Sequence, residues 1–178
     1  MLEILAEVVQ VFLDLIPRPG RIDSTHGAVS VWFGKWQHTL SPGVYLQWPA
    51  VREVQPENLM ERSNETAVFG VTTRDGFAYQ CRIVVLWHVD DLLAYHFGSS
   101  CGATFVEQRA QCLATSAIGS MDSAALMRLG FDFVGSQVTG DLADDCSERG
   151  IAVSSVRFNL CTMAIPVLHA YAEQTVAE

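Results

Sequence analysis

The sequence predicts a single α+β domain with an antiparallel, strand-rich N-terminal half followed by helices and one late strand. Its 178 residues suit one domain of ordinary size. Residues 26–89 contain short β-prone runs separated by Gly, Pro and Asn, and beyond residue 90 the apolar residues recur at helical spacing. A strand-like pattern returns at 151–161, and this order of elements is typical of the α+β class.

Residues 1–16 predict an amphipathic helix with an unusually wide apolar face. The polar side chains of Glu3, Glu7, Gln10 and Asp14 recur along one stripe of it. At about 24 Å it is shorter than the roughly 30 Å hydrocarbon core, so we expect it to lie in the membrane interface. Docking on its own domain and contact between subunits are the alternatives. The predicted membrane-contact residues are Leu2, Leu5, Val9, Phe12, Leu13 and Ile16.

A Pro/Gly break ends this helix at Pro17 and Pro19-Gly20, because proline cannot continue the helical hydrogen-bond ladder. The break divides the chain into the helix and its break at 1–20, a folded domain at 21–164, and the start of a C-terminal helix at 165–178.

The strand-rich half contains a strong hairpin signal. Asp75-Gly76 is a typical tight-turn pair, and apolar residues alternate with others from Phe77 to Val89, so one face of this strand is expected to be buried. The predicted strands are 27–33, 44–48, 51–54, 57–62, 66–73 and 77–89.

The second half predicts four helices. Asp90-Asp91 supplies a helix N-terminus, and Gly150 is placed as a C-terminal cap before the strand at 151–161. The predicted helices are 91–97, 102–118, 122–129 and 131–148.

Composition restricts the function. The formal net charge is −9, which argues against nucleic acid, since that partner requires clustered Lys and Arg. With 49% apolar and only 17% charged residues, some apolar surface is expected to meet a membrane or other copies of the chain. The sequence has no polybasic segment to attract anionic lipid, so membrane attachment would be hydrophobic.

The cysteines favour a reducing cytosolic setting. There are five of them, widely spaced and without a C-x-x-C pair, and the sequence shows no secretory pattern.

No catalytic, cofactor or metal site is predicted. Residues 98–102 spell G-x-S-x-G, but a nucleophile elbow requires a strand before Ser100, and 91–97 predicts a helix. A serine or cysteine hydrolase at Ser100 or Cys101 is therefore a remote alternative. Four side chains have spacings that match no zinc pattern: Cys81, His88, His96 and Cys101. We expect Cys81 to be buried and His88 to lie on the polar face of its strand.

Two groups of residues are candidates for contact surfaces. An acidic run at Asp141, Asp144, Asp145 and Glu148 could meet arginines of a neighbouring copy or face water, and the second is favoured. Oligomer-interface candidates are Asp141, Asp145, Glu148 and Arg149. An aromatic cluster could lie at a membrane interface or pack in the core, and it comprises Trp32, Phe33, Trp36, Tyr45 and Trp48.

Five segments, in order, resemble the stomatin/prohibitin/flotillin family, also called SPFH or band 7. The segment at 34–45 resembles its early hairpin, and the segment at 71–77 resembles its T-x-D-G turn. The segment at 84–91 resembles a strand end that usually carries proline where Asp91 stands. The others are a helix–loop–helix at 118–127 and a strand at 150–158, before which Arg149 replaces tryptophan.

This resemblance covers roughly residues 21–165. It implies a membrane-tethered homo-oligomer, a ring or cage, that organises membrane and in some members restrains a membrane protease. It further implies a scaffold without enzymatic activity or a cofactor, on the cytoplasmic face of a membrane. A short chain of this kind could be bacterial or phage-encoded. The main rival is a soluble binding module whose N-terminal helix docks on a partner protein.

Overall fold

A computed structural model describes residues 16–48, 51–98 and 102–164, and its helices and antiparallel sheets confirm the α+β class. The helix predicted over 1–16, apart from Ile16, and the helix predicted from 165 lie outside these residues. The strands are Arg18–Ile22 (β1), His26–Trp32 (β2), Trp36–Leu40 (β3), Gly43–Gln47 (β4), Arg52–Asn58 (β5), Arg62–Glu65 (β6), Phe69–Thr72 (β7), Ala78–Val89 (β8) and Ile151–Ala164 (β9). The helices are Leu92–Gly98 (α1), Gly102–Gly119 (α2), Ser123–Leu129 (α3) and Phe131–Ser147 (α4).

The chain divides into two compact units. The first unit takes its described residues from Met1–Glu61, His88–Ser100 and Glu148–Ile151. The second unit takes its residues from Arg62–Trp87, Cys101–Ser147 and Ala152–Glu178. The single domain expected at 21–164 therefore contains two units, each built from separate stretches of the chain.

The first unit contains two small antiparallel sheets and helix α1. β2 is the central strand of the β3–β2–β5 sheet, while β1 and β4 form a separate ribbon. Helix α1 begins as predicted, because the Asp91 carboxylate accepts hydrogen bonds from the amides of Leu93 (2.8 Å) and Ala94 (3.1 Å). Gly150 is required at its position, since its φ is 69° and a Cβ there would overlap the Asp91 carbonyl.

The second unit is built around β8. Strands β6 and β7 follow one another along β8, with Arg62 opposite Trp87 and Phe69 opposite Cys81, and β9 also pairs with β8. The alternation predicted for β8 is confirmed: every second residue from Tyr79 to Val89 is buried. Helices α2 and α4 pack on each other. Each buries a side chain at every fourth position: Val106, Ala110, Ala114 and Ile118 on α2, and Val134, Val138, Leu142 and Cys146 on α4.

Several polar side chains in the second unit form hydrogen bonds between its elements. The Trp87 indole donates to Asn64 Oδ1 (2.9 Å), and the Asn64 amide donates to Glu107 Oε1 (2.7 Å). The Thr139 hydroxyl on α4 accepts the amide of Val156 on β9 (2.9 Å). These bonds satisfy groups that would otherwise be costly to bury, and the bond between Thr139 and Val156 joins α4 to the sheet.

Several strand predictions need correction. Neither β1 nor β3 was predicted, and only the first residue of β6 fell within a predicted strand. β1 begins at Arg18, within the segment interpreted as a break. The predicted strands 51–54 and 57–62 are a single strand, β5, that continues through Pro56. A proline is tolerated there because β5 is an edge strand of its sheet. The four helices of the second half were predicted to within one residue at each end.

Candidate membrane-contact surface

The β1–β4 ribbon presents an apolar face to solvent. Exposure alternates along β4, where Val44 is 74% exposed and Leu46 is 52% exposed, while Tyr45 between them is half-buried. Their cross-strand partners on β1 are Arg21 and Pro19, which are also exposed. Directly opposed residues of paired strands share a face. Pro19, Arg21, Val44 and Leu46 therefore form one exposed face, where a soluble sheet usually carries polar residues.

The turn between β2 and β3 exposes a phenylalanine in a strained conformation. Phe33 is 66% exposed and has a φ of 49°, and the following Gly34 has a φ of 69°. The Lys35 amide donates to the Trp32 carbonyl (2.9 Å), which closes a type I′ turn. Asn and Gly are preferred at such positions, since a left-handed conformation costs other residues about 1 kcal/mol or more. The molecule thus holds a large apolar side chain outward at a cost in stability.

Arg52 joins this turn to the ribbon. Its Nε donates to the buried Ser30 hydroxyl (2.7 Å), its Nη1 donates to the Leu46 carbonyl (2.9 Å), and its guanidinium lies 5.1 Å from the Trp32 ring centroid. Trp32 in turn packs against Trp48, with ring centroids 6.3 Å apart. The half-buried Arg52 side chain therefore links β2 to β4. We call Pro19, Phe33, Val44 and Leu46 the first-unit apolar surface.

The sequence segment that carries this surface differs in formal charge from the whole chain. Residues 16–48 contain three basic side chains, Arg18, Arg21 and Lys35, against one acidic side chain, Asp23, so the segment has a formal charge of +2. The whole chain has a formal charge of −9. The acidity thus lies outside the segment that carries the surface, and a positive segment is compatible with anionic lipid.

The predicted membrane-contact residues are only partly within the structure. Leu2, Leu5, Val9, Phe12 and Leu13 lie outside the described residues, whereas Ile16 is 55% exposed. In the aromatic cluster, Phe33 is exposed, while Trp32, Tyr45 and Trp48 are half-buried and pack within the unit. Val44 and Leu46 were not among the predicted contact residues. Val44, Tyr45 and Leu46 are consecutive apolar residues in a short strand, and successive side chains of a strand point to opposite faces. This pattern indicates that both faces of the strand carry apolar side chains.

The oligomer-interface candidates lie in different environments. Asp141 and Glu148 are exposed, but Asp145 accepts a hydrogen bond from Arg109 Nε (2.7 Å) on the neighbouring helix α2. In the first unit, Arg149 Nη1 donates to the Gly98 carbonyl (3.0 Å). Asp145 therefore has an arginine partner within its own chain, and the role of these residues between copies stays a prediction.

The residues considered for chemistry do not form a site among the described residues. Ser100 and Cys101 lie outside them. Cys81 is buried, as expected, and His88 is half-buried on the opposite face of β8. Within the described part of the chain, no group of three or more His, Cys, Asp or Glu side chains is placed to hold a metal ion.

The fold is that of a mixed α+β protein with a strand-rich N-terminal half and a late strand, which is the class that the five resembling segments imply. The chain belongs to the SPFH domain / Band 7 family, whose family model matches residues 21–178. Proteins of this family are typically membrane-associated scaffolds and are generally not enzymes. A comparison with curated proteins finds no match. None of the described helices is long and apolar enough to cross a bilayer.

Proposed function

We propose that this chain is a self-assembling scaffold that attaches to a membrane surface through its first unit. The observation that carries this proposal is the exposure of Phe33, Val44 and Leu46 at 66%, 74% and 52%. Membrane association is typical of the family, and the first-unit apolar surface gives this chain a means of attachment that requires no membrane-spanning helix. The predicted interfacial helix over 1–16 would add a second apolar contact next to Ile16.

Free-energy considerations support attachment through this surface. Full burial of a Val, Leu or Phe side chain is worth about 1.5–3 kcal/mol, and each of these three is more than half exposed. Together they could contribute about 3–5 kcal/mol, which is comparable to a marginal lipid anchor. Stable attachment would therefore depend on a second contribution, from residues 1–16 or from several copies that bind together.

Self-association is the second part of the proposal. A homo-oligomer, as a ring or cage, presents many copies of a weak membrane-contact surface at once, so its attachment is much stronger than that of one copy. Asp141, Glu148 and Arg149 are proposed contacts between copies. The scaffold would organise membrane or restrain a membrane protein, such as a membrane protease, on the cytoplasmic face. No catalytic residue, cofactor or nucleic acid is part of this proposal.

Vesicle flotation tests the attachment. The variant Val44→Glu/Leu46→Glu places two charges on the first-unit apolar surface, and binding to vesicles of mixed neutral and anionic lipid should fall at least tenfold. The matched control is Met127→Glu, which alters an equally exposed apolar side chain (63%) in the second unit and should leave flotation unchanged. Circular dichroism of each variant establishes that it is folded.

Unchanged flotation of the double variant would refute attachment through this surface. A parallel variant, Val9→Glu/Phe12→Glu, tests the predicted helix over 1–16. If only this second variant is released from the vesicles, attachment depends on the N-terminal segment alone. If wild-type protein does not float at all, the soluble binding module replaces the scaffold as the explanation.

A further inference from the structure

The second unit brings two cysteine thiols together between paired strands. The Cys161 Sγ on β9 lies 3.5 Å from the Cys81 Sγ on β8. The two residues are 80 positions apart in the chain, so no spacing motif indicates the pair. Cys81 is fully buried and Cys161 is half-buried, and both are free thiols.

The position of these thiols suits a disulfide. Sulfur atoms in a disulfide are about 2.05 Å apart, so closure needs an approach of roughly 1.5 Å, which side-chain rotation can supply. The strands that carry the two residues already pair. Because the Cys161 thiol donates a hydrogen bond to Cys81, the pKa of Cys81 is lowered, while burial opposes this change. One thiol of the pair therefore stabilises the thiolate of the other.

We propose that Cys81 and Cys161 form a site of reversible oxidative modification, in which a peroxide converts the two thiols into a disulfide that links β9 to β8. This site is independent of the first-unit apolar surface and of membrane attachment.

The reaction proceeds in two steps. After the pair has lost one proton to solvent, the negative charge lies mainly on Cys81, because the hydrogen bond to Cys81 and burial raise the pKa of Cys161. Transfer of the remaining proton from Cys161 to Cys81 gives the minor form in which the more exposed Cys161 sulfur is the thiolate, and peroxide reacts with this form. That sulfur attacks one peroxide oxygen and breaks the O–O bond, which yields a sulfenic acid and hydroxide. The Cys81 sulfur then attacks the sulfenic sulfur, and its proton leaves with the hydroxyl group as water. The hydroxide takes up the proton that was first lost to solvent, so two thiols are oxidised by two electrons and one peroxide is reduced to two waters.

The linkage would join β9 covalently to β8. A disulfide between residues 80 positions apart closes a long loop of the unfolded chain, so it should raise the thermal midpoint by at least about 5 °C. A thiol reductant should reverse the change.

Peptide mapping tests the proposal directly. The arginines of this sequence place each of the five cysteines on its own tryptic peptide, with Cys81 on 75–82, Cys112 on 110–128 and Cys161 on 158–178. The protein is treated with hydrogen peroxide, remaining thiols are alkylated, and a non-reducing digest is analysed by mass spectrometry. Before alkylation, the oxidised protein should be lighter than the reduced protein by about 2 Da, because two hydrogens are lost. The digest should contain a linked pair of peptides, 75–82 and 158–178.

Two variants keep the test decisive. Cys161→Ser alters a half-buried side chain, is expected to fold, and should abolish both the link and the rise in thermal midpoint. Cys112→Ser removes an exposed thiol and should leave both unchanged. The proposal is overturned if Cys161 is oxidised to a sulfinic or sulfonic acid while Cys81 stays free, or if it links to Cys112. It is equally overturned if neither Cys81 nor Cys161 reacts before Cys112 is fully oxidised.

Discussion

Phe33 is expected to affect stability and membrane binding in opposite directions. Replacing it with asparagine places Asn-Gly at the centre of the β2–β3 turn, which is a preferred pair for a type I′ turn. The same change removes the aromatic side chain from the first-unit apolar surface. Phe33→Asn should therefore stabilise the fold and weaken binding to vesicles.

Both magnitudes follow from the structure. Asparagine tolerates a φ of 49° better than phenylalanine, so the free energy of unfolding should rise by about 0.5–1 kcal/mol, or about 1–4 °C in thermal midpoint. Two-thirds of the burial value of a phenylalanine is about 1–2 kcal/mol, since 66% of the side chain is exposed. Loss of that contribution should weaken vesicle binding roughly 5- to 30-fold.

The assay pairs thermal denaturation with vesicle co-sedimentation on the same preparations. The control is Phe77→Asn, which alters a phenylalanine that is 45% exposed in the second unit and should not change vesicle binding. Unchanged binding by Phe33→Asn would show that the turn does not touch lipid. A lower thermal midpoint would show that the phenylalanine is held there for packing.

Two further predictions concern the stability of the second unit. Gly135→Ala should destabilise the protein by about 1 kcal/mol or more, because a Cβ at this position would lie 2.8 Å from the Val156 carbonyl oxygen. Gly140 is on the same helix but faces open space, so Gly140→Ala should stabilise the protein by about 0.5–1 kcal/mol. Urea denaturation of both variants measures this, and equal effects would refute the close packing of α4 on β9. The hydrogen bond from the Thr73 hydroxyl holds the pKa of Asp75 below its usual value of 3.8, so the ionised carboxylate stabilises the fold above that pH. This stabilisation is lost as the pH falls through the lowered pKa. The thermal midpoint of Asp75→Asn should therefore change less on acidification than that of the wild type. Identical pH profiles of the two proteins would contradict a stabilising role for the Asp75 carboxylate.

The elements that sequence analysis located best are long and strongly periodic. Strand β8 alternates apolar and other residues over its whole length, and α2 and α4 each repeat an apolar residue every fourth position. Local sequence alone specifies these elements, because each must bury one face. Gly150 and the Asp91 cap were likewise recognisable from residue type and position.

β1, one of the strands that were not predicted, depends on a pairing partner that is distant in the sequence. β1 contains Pro19 and Gly20, which disfavour a strand, and it forms through its register with β4. The outward face of β4 could not be assigned, since Val44, Tyr45 and Leu46 are all apolar, and only the pairing decides which of them faces solvent. The strain at Phe33 was equally invisible, because backbone conformation at a turn is not specified by residue type alone.

The native mass of the protein after gentle detergent extraction from membranes tests the central claim most directly. Light scattering or native mass spectrometry of the full chain should give a discrete assembly of many 19.6 kDa subunits. Disruption of that assembly by charge reversal at Asp141 and Glu148 would support their place at the interface. A 19.6 kDa monomer under every extraction condition would contradict the self-assembling scaffold and leave only the family fold.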